Sequence, residues 1–152
     1  MVDVVSEIKR SQMMAGIRSK DTKPELLVRK LLHNAGFRYR LHDKKLPGNP
    51  DIVLRKYRVA IFVHGCFWHG HDGCSLFRLP KSRTEFWKAK IEGNVIRDQK
   101  KNAALLDKNW RVCVIWECAL KGKIKIQAEE MFEELSNFIV KEEKSFLVIR
   151  GR

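Results

Sequence analysis

Residues 51–64, DIVLRKYRVAIFVH, leave the chain little conformational choice. DIVL and YRVAIFVH are short apolar runs rich in β-branched side chains, and Arg55-Lys56 interrupts them, so the segment reads as a β-hairpin. WRVCVIW, residues 110–116, is a further apolar run of strand length and suits a strand buried in a sheet. Helices are expected around these strands. Ser6 can cap one through IKRSQMMAGI, where Ile8, Met14 and Ile17 recur at roughly helical spacing. Thr22-Lys23-Pro24-Glu25 is a capping box with proline in the first turn. It opens a helix from about 23 to 35, with Leu27, Leu31 and Ala35 as the buried stripe and Gly36 as the stop. FRYRLH alternates like a strand, LPGNP is a turn, residues 82–107 form a long polar helix, and IQAEEMFEELSNFIV is a closing amphipathic helix. The order helix, helix, three strands, loop, helix, strand, helix predicts an α/β chain, a mixed central β-sheet flanked by helices that delivers polar residues to one sheet edge. One domain is expected over 1–152, with an N-terminal helix in 1–20 and a C-terminal helix and tail in 122–152 completing the core.

Charge narrows the function. The chain of 152 residues carries 31 Lys and Arg against 18 Asp and Glu, a net +13. The excess lies in residues 1–120, with 24 basic and 12 acidic side chains; residues 121–152 carry 7 and 6. A basic body attracts a polyanion, most simply nucleic acid, through phosphate neutralisation and counterion release. No stretch pairs clustered lysines with an exposed amphipathic face, no apolar run approaches a membrane span, and the N-terminus lacks a signal layout, so a cytosolic protein without membrane association is expected. The four cysteines form no regular disulfide framework and should stay reduced, which leaves metal ligation or burial.

The hairpin runs into HGCFWHGHDGC, residues 64–74, where imidazoles and thiols that need partners adjoin a Phe-Trp pair that favours burial. Cys66, His71 and Cys74, with Cys118 just past the last core strand, make a three-thiolate, one-imidazole set suited to a closed tetrahedral Zn²⁺ of the structural kind. Cys113, inside WRVCVIW, reads as a buried inert thiol. His69 is then left free in the same loop, in a position suited to a general base. The hairpin should bring Asp51 and His64 to a common end of the sheet, where Asp51 is either a turn cap or a ligand for a hard divalent cation. Glu25 either ties its capping box or adds a second carboxylate. Phe67, Trp68 and Trp87 either pack the loop onto the sheet or enter a DNA base stack as wedges. Trp110 and Trp116 read as core.

Taken together, Ser11, Met14 and Ile17 in SxxMxxI, the turn LPGNPD, FVHGCFWH, RTEFWKAKIEGNVIRD and WECAL closely resemble the bacterial very-short-patch-repair endonucleases, Vsr. The resemblance is collinear from about residue 9 to 121. It implies a restriction-endonuclease-like core and a strand-nicking enzyme that cuts 5′ of the thymine in a T:G mismatch left by deamination of 5-methylcytosine. It further implies Asp51 as the Mg²⁺ ligand, assisted by the backbone carbonyl of Val63, with His69 activating water and His64 and Glu25 completing the catalytic site. Cys66, His71, Cys74 and Cys118 match structural zinc ligands. Phe67, Trp68 and Trp87 match an aromatic platform beside the mismatch, Met14 a residue entering from the opposite groove, and Lys90 and Asn94 positions that read the mismatched pair. A monomer linked functionally to a cytosine-5 DNA methyltransferase and to mismatch-repair proteins, at the bacterial nucleoid, follows from the same resemblance. Two departures stand out: Val63 replaces a threonine, and the zinc loop is one residue longer between His71 and Cys74. The competing readings are a mismatch-independent site-specific nicking or restriction enzyme and a non-catalytic zinc-containing DNA-binding module.

Overall fold

The computed structural model describes residues 21–152; the expected helix with Ser6, Met14 and Ile17 lies outside the described residues. Helix α1, Lys23–Asn34, starts where Thr22 Oγ1 accepts a hydrogen bond from Glu25 N at 3.3 Å, as the capping box requires. Its buried face differs from the expected one. Glu25, Val28 and Leu32 point inward, while Leu27 is 48% exposed, Ala35 is exposed and Leu31 is only half-buried. Both stripes have helical spacing and apolar content, and the inward one carries a carboxylate, which a hydrophobicity pattern does not select.

Strands β1 (Arg40–Leu41), β2 (Ile52–Leu54), β3 (Val59–His64), β4 (Arg111–Trp116) and β5 (Phe146–Ile149) form a five-stranded sheet in the order β1-β2-β3-β4-β5. The hairpin β2–β3 is antiparallel and turns through a short 3₁₀ segment at Arg55–Tyr57, where the sequence breaks. β3, β4 and β5 run parallel, with Val59 opposite Arg111 and His64 opposite Trp116. Parallel neighbours need crossovers, and helices α2 (Thr84–Asp107) and α3 (Ala128–Lys141) supply them. The expected strand FRYRLH shrinks to two paired residues. β5 was not foreseen; the expected tail adds a sheet edge.

Alternation along the buried strands sorts their side chains between two apolar layers. Val59, Ile61 and Val63 of β3 pack with Val28 and Leu32 of α1 and with Met131, Leu135 and Ile139 of α3. Ala60, Phe62, Val112 and Val114 face the other way, against Leu105 of α2 and Trp110. His64 therefore emerges on the α2 side at the end of β3. Because β2 is antiparallel, its beginning lies at that same end, and Asp51 precedes it. Among the described residues no helix is long and apolar enough to cross a membrane.

Candidate active site

A cavity of about 770 Å³ opens at the end of β3, lined by Glu25, Asp51, His64, His69, Asp98 and Lys101 among others, with Phe67 and Trp68 on its wall. Crevices outside the carboxyl ends of parallel strands are the usual site in open α/β sheets. All four catalytic residues expected from the sequence thus meet in one place. Asp51 Oδ2 accepts a hydrogen bond from Val63 N at 2.8 Å, so the carboxylate is fixed against the backbone of β3. Burial pushes its carboxyl up to about 7, opposed by the Val63 bond and reinforced by the negative charge of Glu25.

Glu25 sits in the first turn of α1 and also lines the cavity. Its backbone is capped, and its buried Oε2 accepts from Asp21 N at 2.9 Å and from Arg29 Nη2 at 3.1 Å. The same guanidinium nitrogen lies 2.7 Å from Asp21 Oδ1 and 3.1 Å from His42 Nε2. The two hydrogens of that nitrogen face the two carboxylates, and His42 Nε2 lies beside the same carboxylates, 3.5 Å from Asp21 Oδ1 and 3.6 Å from Glu25 Oε2, while its Nδ1 is 3.9 Å from Asp51 Oδ1. Asp21, Glu25 and His42 also form a group able to surround a cation, and the Arg29 head lies among them.

His69 is the most clearly poised group. Its Nδ1 lies 2.6 Å from Asp98 Oδ2, and a carboxylate can only accept, so Nδ1 donates, and in the neutral ring the lone pair is on Nε2. Burial alone would raise the Asp98 carboxyl, but the hydrogen bond from His69 and the nearby positive groups hold it below its usual range. The His69 ring stacks on His64 at 3.8 Å and 3°. Burial, then the charge of His69, pushes His64 down to about 3, so its ring is a neutral stacking partner. His64 Nδ1 is buried without a hydrogen-bond partner among the described residues.

Cys66, His71, Cys74 and Cys118 are all buried, and their ligand atoms lie within 4.8 Å of one another. His71 offers Nδ1, at 3.5 Å from Cys66 Sγ and 3.6 Å from Cys118 Sγ. Four convergent soft donors with no water-facing position form a cluster that could hold a metal ion. The two residues between His71 and Cys74 let both side chains join the set. Gly151 N donates to Cys118 Sγ at 3.2 Å, so the chain end past β5 braces the cluster. Cys113 is wholly buried in β4, as expected.

The aromatic residues divide by depth. Phe67 and Trp68 are half-buried and meet edge to face at 5.1 Å; Trp87 is buried behind them, 5.6 Å from Phe67 and 5.9 Å from Trp68. Asn94 Nδ2 donates to Trp68 O at 2.9 Å, while Lys90 is exposed on α2. Met14 lies outside the described residues. Trp110 is core, but Trp116 is half-buried and stacks on His71 at 4.0 Å and 5°.

Sequence reasoning missed Arg29, His42, Asp98 and Lys101. For the last two a signal existed: Trp87, Ile91, Asn94, Asp98, Lys101 and Leu105 follow one another at alternating steps of four and three along α2, a single helix face whose polar middle borders the cavity.

Residues 2–75 match the family described as DNA mismatch endonuclease Vsr. The chain is 55% identical over 128 residues to the type II nicking enzyme V.XorIIP of Xanthomonas oryzae pv. oryzae, covering 84% of this chain and 93% of that protein. It is 51% identical over 123 residues to the type II nicking enzyme V.NmeAIP of Neisseria meningitidis serogroup A, covering 81% and 87%. To the DNA mismatch endonuclease Vsr of Escherichia coli strain K12 it is 45% identical over 139 residues, covering 91% and 88%. With 45% identity to the Escherichia coli protein extending over 91% of this chain, the protein belongs to the Vsr family of DNA mismatch endonucleases and is an endonuclease.

Proposed function

We propose that this protein nicks DNA on the 5′ side of the thymine in T:G mismatches arising from 5-methylcytosine deamination, so that short-patch synthesis restores the cytosine. The observation that carries this reading is the His69–Asp98 pair set beside Asp51 in one cavity, with Phe67 and Trp68 on its wall. His69 Nε2 takes the proton of the attacking water, and Asp98 stabilises the resulting imidazolium. His64 holds the His69 ring in plane, and Glu25, locked by Arg29, orients water in the cavity. The carboxylate of Asp51 and the Val63 carbonyl are hard oxygen donors of the kind Mg²⁺ takes, and since Val63 serves through its backbone, no hydroxyl is needed there. When bound, Mg²⁺ polarises the phosphoryl group and offsets its developing charge. Cys66, His71, Cys74 and Cys118 suit structural Zn²⁺.

Phe67 and Trp68, with Trp87 behind them, form the platform that enters the stack beside the mismatch; Met14 enters from the other groove, and Lys90 and Asn94 read the mismatched pair. The core is restriction-endonuclease-like, in one domain spanning 1–152 that works as a monomer, since one asymmetric mismatch needs one active site. It acts at the nucleoid in the bacterial cytoplasm, alongside a cytosine-5 DNA methyltransferase and mismatch-repair proteins.

The test is nicking of labelled duplexes that differ only in T:G against C:G, across several methylation contexts with Mg²⁺. Cutting 5′ of the mismatched thymine, abolished by Asp51→Ala and by His69→Ala, supports the proposal. A second reading, mismatch-independent site-specific nicking, is favoured by the names of the Xanthomonas and Neisseria relatives. Equal cutting of matched duplexes would establish it. Family membership sets aside the non-catalytic binding module.

A further inference from the structure

The catalytic cavity is acidic in a protein whose net charge is +13, which is a poor environment for a phosphodiester anion. Glu25, Asp51, Asp98 and Glu117 line it, and Lys101 is the single Lys or Arg side chain in its wall among the described residues. Three of the four carboxylates already have partners: Arg29 holds Glu25 at 3.1 Å, His69 holds Asp98 at 2.6 Å, and Lys121 holds Glu117 at 2.7 Å. Asp51 is the ligand offered to a cation. Among the described residues no carboxylate lies within ion-pair distance of Lys101, so no described residue takes up its charge.

Lys101 is also a held group. It lies on the inward face of α2, one helical step beyond Asp98, and is half-buried. Its stem runs over Gly48 so closely that a Cβ there would come within 2.8 Å of Lys101 Cβ and 2.9 Å of its Cγ. Gly48 has φ +79°, a conformation other residues rarely adopt, so the turn LPGNPD is shaped to let the lysine stem pass. A half-buried lysine whose ammonium has no carboxylate partner among the described residues, at the wall of a site for an anion, is placed for that anion.

We infer that Lys101 is a further catalytic residue, whose ammonium contacts a non-bridging oxygen of the scissile phosphodiester and offsets the surrounding carboxylates. This rests on the reading of the cavity as the site of phosphodiester hydrolysis. The lysine transfers no proton; it supplies fixed charge where negative charge grows.

The experiment first maps the bond cut by the wild-type protein, then compares binding of two duplexes in Mg²⁺-free buffer, one natural and one with an uncharged methylphosphonate at that bond. Wild-type, Lys101→Met and Lys101→Arg proteins are used, with thermal midpoints recorded. A single charge-assisted contact is worth roughly 10- to 100-fold in affinity. Lys101→Met is therefore expected to weaken the natural duplex by at least about tenfold and the methylphosphonate duplex by less than about twofold. Lys101→Arg should recover most of the loss, and the single-turnover nicking rate should follow the same order. Equal loss on both duplexes, or loss on neither, overturns the role of Lys101 while leaving the active site intact. Absence of nicking by the wild-type protein on every duplex would instead overturn the reading of the cavity, and with it this inference.

Discussion

Replacing Asp98 by asparagine tests the catalytic geometry where it is tightest. The 2.6 Å contact between His69 Nδ1 and Asp98 Oδ2 is a charge-assisted hydrogen bond that fixes the tautomer and the ring and stabilises the protonated ring formed during attack. Asparagine keeps the shape and removes the charge. A hydrogen bond to a charged group is worth about 1.5–3 kcal/mol, so this loss alone slows proton abstraction roughly 10- to 150-fold. An amide can also present its NH₂ to Nδ1 and force the proton onto Nε2, where it blocks acceptance from water; with that contribution the expected decrease is about 10²- to 10⁴-fold. The assay is single-turnover nicking of a mismatched duplex with enzyme in excess and Mg²⁺ saturating. Duplex affinity and thermal midpoint should change little, because the substitution is isosteric and the α2 stripe keeps its packing. Nicking by Asp98→Asn within about threefold of wild type, or a loss carried wholly by affinity, would refute the assignment of His69 as a base oriented by Asp98.

Other substitutions probe the supports of the site. Arg29→Met leaves the buried Glu25 carboxylate without its counter-charge and should cost about 3 kcal/mol, the lower end for a broken buried pair, measured by denaturant unfolding. Gly151→Ala places a Cβ 2.6 Å from Ile124 O and 2.7 Å from Cys118 O, against backbone that has little room to yield. It should destabilise by about 1–3 kcal/mol and loosen the proposed metal site, read by metal release to a chromophoric chelator. Trp68→Ala and Trp87→Ala should separate: the first, half-buried, lowers affinity for a mismatched duplex at least about tenfold with little loss of stability. The second empties a buried position and costs about 3–5 kcal/mol in unfolding. If the cluster holds metal as proposed, chelation should abolish the near-UV signal of Trp116, whose stacking partner is His71 of the cluster.

The residues legible in the sequence were those whose type and spacing speak for themselves. Strand-length apolar runs announced β2, β3 and β4, and the unusual density of Cys and His announced the metal cluster even though Cys118 is far from the others in sequence. Asp51 and His64 were placed by the hairpin alone. What escaped depends on packing between elements. Nothing local distinguishes the Leu27–Leu31 face of α1 from the Val28–Leu32 face, because the choice is made by the sheet, and choosing wrongly hid the fact that Glu25 points inward. Arg29 and His42 became visible only when α1 and the turn after β1 were brought together. β5 escaped because Phe146 and Val148 are exposed and the strand relies on β4 for its pairing.

The loop after β3 couples the cavity to the Cys/His cluster. From the cluster, His71 stacks on Trp116 at 4.0 Å; Trp116 meets His64 edge to face at 5.2 Å; His64 stacks on His69 at 3.8 Å; and His69 ends on Asp98. Each link joins rings at distances that constrain orientation as well as position. A loop of this length would otherwise leave His69 free to rotate over several rotamers, and a general base displaced by about 1 Å can lose 10²-fold in rate. With the Cys/His cluster at one end and Asp98 on helix α2 at the other, the ring of His69 is held from both sides. A metal bound in that cluster would need no contact with substrate to affect catalysis, since the orientation of His69 depends on the cluster as well as on Asp98.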